Sequence, residues 1–362
     1  MSFTCPEQLH TCTRLSLQGV NVPPVALAAE TVPERHYTHH EGRGATPHRS
    51  NPKVIHRELT TLDVRPDMNV AEFGTGSGYS GALLAHLVGP QGTVTSLDID
   101  DYLVRWAGLI HHQRGVGNIR CHTADGTAGF ADRAPYDRIV AWCTPPLLPR
   151  AWVDQTADGG LIVAPLPIAA VPNMTLVAKI RVSGCQPSVE AVFNGGYIEA
   201  TTSPKTDLDL PGRWIDWENR VPAPSWISVA WREGDDDLHT GARTTLDRLL
   251  NNAHTEPYDG PKLDWPSWRT WAAATAGPQL TMAGLNPDLW ALGHSTPTTA
   301  AVIQQDATVL ADTVDSPSLT ALRGWLSAWE DAGRPAPETH RTTLVRYDDG
   351  QGADGWNLRL TP

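Results

Sequence analysis

The sequence has no long apolar run, no block of basic residues and no paired cysteines. Its longest apolar candidate, Leu161 to Val171, is interrupted by Pro165 and Pro167 and reads as a buried strand with its exit loop, so no membrane span is expected. The amino terminus lacks a basic segment followed by an apolar stretch. No secretory signal is therefore expected, and the reading is of a cytoplasmic chain. Formal net charge is −12 with no cluster of Lys and Arg. That argues against a nucleic-acid partner, because phosphate backbones are bound mainly through cationic contacts. The five cysteines, Cys5, Cys12, Cys121, Cys143 and Cys185, form no CxxC pair and no ligand cluster, and read as thiols in a reducing compartment. No metal site is expected. His36, His39, His40 and His48 crowd around Glu41, but among Gly42, Gly44 and Pro47 and at no ligand spacing, so they read as loop histidines close to substrate. Nothing indicates an oligomeric state.

At 362 residues the chain is long for one core, and two domains are expected. From Asn69 onward short apolar runs alternate with helical stretches. Strands are expected at Asn69–Gly74, Thr93–Asp98, Ile119–Ala124, Tyr136–Trp142, Gly160–Pro165, Thr175–Val182 and Val189–Phe193. Helices fit at Tyr79–Val88, Asp101–Arg114 and Pro149–Gln155. This alternation predicts a doubly wound, Rossmann-like parallel sheet. The division read from it is an N-terminal helical, substrate-contacting segment (1–68), a catalytic domain (69–202), a polar Pro-rich linker (203–225) and an accessory domain (226–362). Eleven of the fourteen Trp residues lie after position 205. A helix is expected from Pro317 to about Ala332, with Ser316 as N-cap and Gly333 as terminator. Its Leu319, Leu322, Trp325, Leu326 and Trp329 share one face and must pack on something. With β-like runs at Ala301–Gln304, Thr308–Ala311 and Thr343–Tyr347, it points to a second, smaller α/β domain whose tryptophans are mainly core.

The chemistry-bearing run is Glu72-Phe73-Gly74-Thr75-Gly76-Ser77-Gly78-Tyr79, closing a strand and opening a helix. Glycines there let the backbone turn sharply and approach a ligand. Such a turn alone does not separate nicotinamide cofactors from S-adenosylmethionine. Two details tilt the choice: Tyr79 stands where the dinucleotide fingerprint wants Gly or Ala, and Glu72 supplies an acid suited to the amino group of a methionine moiety. Asp98 closes the next strand, placed to accept from both ribose hydroxyls. Asp125-Gly126 follows the third strand, where a carboxylate can accept from an adenine amino group. Thr144, in the loop after the fourth strand, completes the expected cofactor side.

Several segments together are similar to protein-L-isoaspartate O-methyltransferases: Ala28-Ala29-Glu30-Thr31-Val32-Pro33-Glu34, the GTGSGY loop with Leu83-Leu84-Ala85-His86-Leu87, and Ala124-Asp125-Gly126. The run Ala134-Pro135-Tyr136-Asp137-Arg138-Ile139-Val140, Thr144-Pro145-Pro146 and Asp158-Gly159-Gly160 extend the match over residues 26–200. The resemblance implies a class I methyltransferase fold and methyl transfer from S-adenosylmethionine to the carboxylate of an isoaspartyl or aspartyl residue in a peptide or protein. Cys143-Thr144-Pro145-Pro146-Leu147 lacks the Asn/Asp and aromatic residue of amino-directed enzymes. The family's Thr-Ile-Ser-Gln-Pro stretch stands here as His48-Arg49-Ser50-Asn51-Pro52, and Val32-Pro33 lies closer to that serine than in the family pattern. With the extra C-terminal region, the chain resembles the extended methyltransferases that act on ribosomally made peptides, forming an ester that closes to a succinimide. General repair of damaged proteins and methylation of a small molecule remain open.

A carboxylate with a pKa near roughly 4 is ionised at neutral pH, so no general base is required. Holding an oxygen in line with the activated methyl can supply on the order of 7–11 kcal/mol. Asn51-Pro52 reads as N-cap and first residue of a helix burying Val54, Ile55 and Leu59. Its NH groups make an anion site without lysine, and Ser50 beside it can donate to the acceptor carboxylate. Ser50 and Asn51 are accordingly the expected catalytic residues, with capping as the alternative role of Ser50.

Overall fold

A computed structural model of the chain describes residues 23–40, 44–46, 49–204, 210–251, 253–286, 289–350 and 352–361. The first sheet comprises β1 (Asn69–Phe73), β2 (Thr93–Asp98), β3 (Ile119–Thr123), β4 (Tyr136–Ala141), β5 (Thr156–Pro167), β6 (Thr175–Ser183) and β7 (Gln186–Asn194). Their order is β7-β6-β5-β4-β1-β2-β3. Strands β1 to β5 are mutually parallel, and β6 and β7 add an antiparallel hairpin at one edge. The chain runs outward from β1 in one direction to β3, then returns to start β4 on the other side of β1. That reversal opens a crevice at the carboxyl ends of β1 and β4.

Adjacent residues of these strands face opposite layers, as the pleat requires. Val140, Val163 and Val177 join Ile55, Leu59, Leu83 and Leu84 in one core, under helices α1 (Pro24–Thr31), α2 (Pro52–Leu62) and α3 (Tyr79–Val88). Ile139, Ile162 and Leu176 point the other way, into a core shared with the C-terminal half of the chain. Helix α4 (Asp101–Gln113) joins β2 to β3. The expected strands and helices of this region recur within a residue or two, except that β5 and β7 are longer.

The second unit is built on β8 (Trp217–Asn219), β9 (Ser225–Val229), β10 (His254–Pro257), β11 (Leu280–Asn286), β12 (Leu289–Ser295), β13 (Ala300–Gln304) and β14 (Thr308–Ala311). The sheet is antiparallel throughout, in the order β8-β9-β11-β12-β13-β14-β10. Helix α5 (Thr240–Asn251) covers one face through Leu246 and Leu249. Helix α7 (Pro317–Asp331) covers the other, with α6 (Trp265–Thr275) packed against α7, and Trp268, Trp271 and Trp329 reach the core of the first sheet. The Ser316 cap is present, its Oγ accepting from Leu319 N at 3.4 Å. A final hairpin, β15 (Arg341–Asp348) and β16 (Asp354–Thr361), returns to the first unit, where Trp356 pairs with Leu148.

The Ser203–Ser225 stretch, read as a linker, is ordered structure where it is described. It contains β8, and it buries Leu210 and Asp216. Asp216 looks like a polar loop residue in sequence, yet it accepts from Arg232 at 3.0 Å and from Val229 N at 2.7 Å. Its charge is paired by residues that follow it in the chain, which composition alone does not reveal. Asp235 and Asp236 lead into α5: Asp235 accepts from Gly241 and Ala242 N, and Asp236 from Thr240 N.

Candidate active site

The crevice holds a cavity of about 510 Å³. At its floor β1 ends, the chain turns through Gly74–Gly78, and α3 begins. Gly78 sits at φ 84°, and a Cβ there would stand 2.8 Å from the Cβ of Ala107, so glycine is what lets α3 start against α4. Gly74 N and Thr75 N both donate to Leu97 O, at 2.7 and 3.1 Å, tying the turn to β2. Asp98, at the end of β2, accepts from Gly76 N and from Asp100 N, each at 3.0 Å. Burial raises its carboxyl above the usual range, and those two backbone donors oppose the rise. Asp125 is held by Thr127, whose N and Oγ1 donate to it at 2.9 and 2.7 Å.

Gly74, Thr75, Gly76, Ser77, Asp98, Asp125 and Gly126 all line the cavity, and Ser50 joins them from the start of α2. Residues from four separate segments of sequence are thus brought around one space. Asn51 beside Ser50 caps α2, its Oδ1 accepting from Lys53 N at 2.9 Å. The backbone NH groups of the first turn of α2 follow directly from the lining serine, as an anion site requires.

Four expected residues lie off the cavity wall. Asn51 is occupied as a cap, and Gly78 is packed against Ala107. Glu72 is fully buried behind the wall rather than facing the cavity. Its Oε1 accepts from Trp142 Nε1 at 2.8 Å and from Ser80 Oγ, and its Oε2 accepts from Ser96 Oγ at 2.7 Å. Burial pushes this carboxyl up to about 7, against three donors that favour the ionised form. Its oxygens hold Trp142, Ser80 and Ser96 behind the wall of the cavity. Thr144 is likewise buried. Its N donates to Ile198 O, and its O accepts from Ala200 N, both at 2.8 Å, so it pins the 197–200 segment in place.

That segment and its neighbours are what the sequence reading missed. Trp142, Tyr197, Glu199, Leu210 and Trp290 all line the cavity. Trp142 had a signal, an aromatic closing the fourth strand, but was read only as the end of that strand. The rings of Trp142 and Tyr197 lie 5.9 Å apart, and the Tyr197 hydroxyl donates to buried Glu58 at 3.0 Å. Burial and the neighbouring Glu58 push the phenol well above its usual range. Arg49 lines the cavity beside Ser50 and meets His39 Nε2 at 3.3 Å. His48 lies outside the described residues, and among those described no group of His, Cys, Asp and Glu has the makings of a metal site. Among them, too, no helix is long and apolar enough to cross a membrane.

The family model for protein-L-isoaspartate(D-aspartate) O-methyltransferase matches residues 27–194. A protein-L-isoaspartate O-methyltransferase of Thermosipho melanesiensis is 32% identical over 132 residues, covering 36% of this chain and 67% of that protein. One from Methanococcus maripaludis is 37% identical over 105 residues, covering 29% and 50%. The chain thus spans about half the length of several curated relatives that it matches. A solved structure of a protein-L-isoaspartate O-methyltransferase aligns over 93% of this chain and 94% of its own, at 15% identity and a TM-score of 0.47.

Proposed function

The chain belongs to the protein-L-isoaspartate(D-aspartate) O-methyltransferase family, and from that premise we propose that it methylates a carboxylate of an isoaspartyl or aspartyl residue in a peptide or protein. The observation that carries the reading is the meeting, in one cavity, of the Gly74–Ser77 turn, Asp98 and Asp125 with Ser50 at the start of α2. S-adenosylmethionine, the donor used in this family, supplies a methyl group on a positively charged sulfur. The donor set fits it: Asp98 would accept from the ribose hydroxyls, Asp125 from the adenine amino group, and the turn would face the methionine end.

The acceptor needs no base, because its carboxylate is already ionised at neutral pH. Ser50 donates to one of its oxygens, and the first NH groups of α2 add a positive dipole end. The other oxygen would be left free to take the methyl group that bound S-adenosylmethionine would supply, the sulfur keeping the electron pair of the broken S–C bond. Apolar Trp142 and Ile55 keep water from that oxygen, which strengthens the electrostatic contacts around it. The product ester carries no charge, loses its hold on the dipole, and leaves.

The finer reading is of a chosen peptide of ribosomal origin, whose ester closes to a succinimide when the next backbone nitrogen expels methoxide. Its support is that segments beyond residue 203 border the cavity, so the C-terminal unit (226–362) and the stretch before it act in recognition. General repair of isoaspartyl proteins is the second reading, favoured by the family match itself. Incubating the chain and S-adenosylmethionine with matched Asp-Gly and isoAsp-Gly peptides separates them by mass spectrometry. Gain of one methyl followed by loss of methanol from the Asp peptide supports peptide modification. Reaction of the isoAsp peptide alone returns the chain to repair, and a methyl on an amine removes both readings. Ser50→Ala should lower turnover while cofactor affinity holds; equal turnover would reduce Ser50 to a neighbour of the cap.

A further inference from the structure

Trp290 enters the cavity from β12, and among the described residues it is the one beyond Gly212 that lines it. Its position is prepared by two residues on neighbouring strands. Trp226 of β9 stands opposite Gly284 of β11, and Gly284 stands opposite Trp290 of β12. A Cβ at Gly284 would come within 2.2 Å of Trp226 Nε1, so only glycine leaves room for that indole to lie across the sheet. The Trp226 ring, 3% exposed, meets Trp290 edge-on, with centroids 5.1 Å apart and planes at 81°. Edge-to-face contact is a preferred aromatic geometry and holds the second ring at a defined angle. Trp290 itself is only partly buried.

Other lining from this half of the chain is fixed just as firmly. Leu210, Pro211 and Gly212 are followed by Arg213, whose Nη2 donates to Thr144 O at 2.7 Å. Its guanidinium also lies over the Trp214 ring, 5.0 Å from the centroid. The residues suited to adenosine and methionine all sit on the first sheet and its turns. The wall contributed by the second sheet is therefore left for the acceptor.

Resting on the methyltransferase reading above, we propose that Trp290 is a specificity-determining residue for the acceptor peptide. Its indole face receives the residue that follows the methylated acid, and Trp226 and Gly284 are the positioning residues behind it. A flat, uncharged ring gives apolar contact to a backbone bearing Gly or Ala. Its negative face disfavours an acidic side chain, and it leaves little space to a branched one. Such a selection agrees with the chemistry that follows, since bulk at that residue also hinders closure of the succinimide.

The test uses the full chain, S-adenosylmethionine and hexapeptides that differ only in the residue after Asp or isoAsp: Gly, Ala, Val or Glu. The parent should prefer Gly and Ala. Trp290→Ala should raise KM for the Gly peptide by about tenfold, the scale of a truncated aromatic contact, and should lose the discrimination against Val and Glu. Affinity for S-adenosylmethionine by calorimetry should stay within about twofold. Trp290→Phe keeps an aromatic edge on Trp226 and should fall between the two, and it serves if the Ala variant does not fold. Gly284→Ala, away from the cavity, should shift KM in the same direction by displacing Trp226. Parent-like discrimination in a folded Trp290→Ala or Trp290→Phe chain would overturn the assignment. So would a loss of cofactor affinity as large as the rise in KM. If the parent methylates no carboxylate at all, the methyltransferase reading fails first and this inference with it. An active parent with unaltered variants removes Trp290 alone.

Discussion

The two seven-stranded sheets differ in how their strands announce themselves. In the parallel sheet the central strands are apolar runs such as Ile139–Trp142 and Leu161–Leu166, closed by Gly-rich or acidic turns. In the antiparallel sheet the strands are just as buried but read as mixed. All five residues of Ser225–Val229 are buried, as are Leu280–Gly284 and Ala300–Gln304. Helices cover both faces, so the polar alternation of a one-sided sheet is missing. Small polar residues take core positions and satisfy one another: buried Ser228 accepts from Arg232, and Thr281 bonds Ser295 across the β11–β12 pair. A buried hydroxyl with a partner costs little, yet in sequence it looks like surface.

The sharpest way to break this comparison is to separate the two sheets. Leu166, Leu176 and Ile180 of the first share a core with Trp268, Trp271 and Trp329 of the second. A chain ending at residue 204 would expose that face, and it should give no cooperative melting transition by circular dichroism. A truncated protein that melts cooperatively and binds S-adenosylmethionine would show that the first sheet stands alone. Within the joint, Trp268 is fully buried, stacks on Trp271 at 5.9 Å and meets Trp329 edge-on at 5.7 Å. Trp268→Ala should cost about 3–5 kcal/mol in denaturant unfolding. A loss below about 1 kcal/mol would mean the interface is loosely packed.

His111 of α4 sharpens the comparison from the other side, because it is a buried polar group without the pairing seen in the second sheet. It is 3% exposed, and neither ring nitrogen has a partner among the described residues. Burial pulls its pKa down to about 4. The unfolded chain takes up this proton below about 6.5 while the folded chain refuses it until about 4, so the histidine's contribution is whole at neutral pH and falls as pH drops between those values. The loss is roughly 3 kcal/mol over that window. Glu72, raised to about 7, pulls the opposite way, because the unfolded chain releases that proton first as pH rises. Comparing the parent with His111→Leu at each pH cancels Glu72, and a flat difference from pH 7 to 4 would show the ring is solvated. At the cofactor end, Asp98→Ala should weaken S-adenosylmethionine binding by about 1.5–3 kcal/mol, the scale of lost bonds to a charged group. Unchanged calorimetric affinity in a folded variant would take Asp98 out of the site.

What could be read in advance was local. Gly74–Ser77, Asp98, Asp125 and Ser50 each sit at a strand end or helix start, where spacing and residue type define the backbone and so the place at the cavity. Glu199, Leu210 and Trp290 reach the cavity only through strand pairing and packing between distant segments, and nothing beside them in the chain marks them out. Glu72 lies one layer behind the cavity wall. Its place before the glycines is as expected, but three donors lie close enough to hold it under the surface. The C-terminal hairpin β15–β16 was half visible, as a β-like run at Thr343–Tyr347 with no indication of where its partner strand would dock.

That docking has a consequence for how the protein is made. Leu148 and Pro149 pair with Trp356 and Gly355, so this edge waits for a strand made much later in the chain. Until residues 354–361 have cleared the ribosome, the apolar surface around Trp152 and Leu148 stays uncovered and open to wrong contacts. The polypeptide closes on itself as a belt does, with the buckle far from the hole that receives it. A homologue that exchanged the C-terminal region would have to exchange the edge at 148–149 with it.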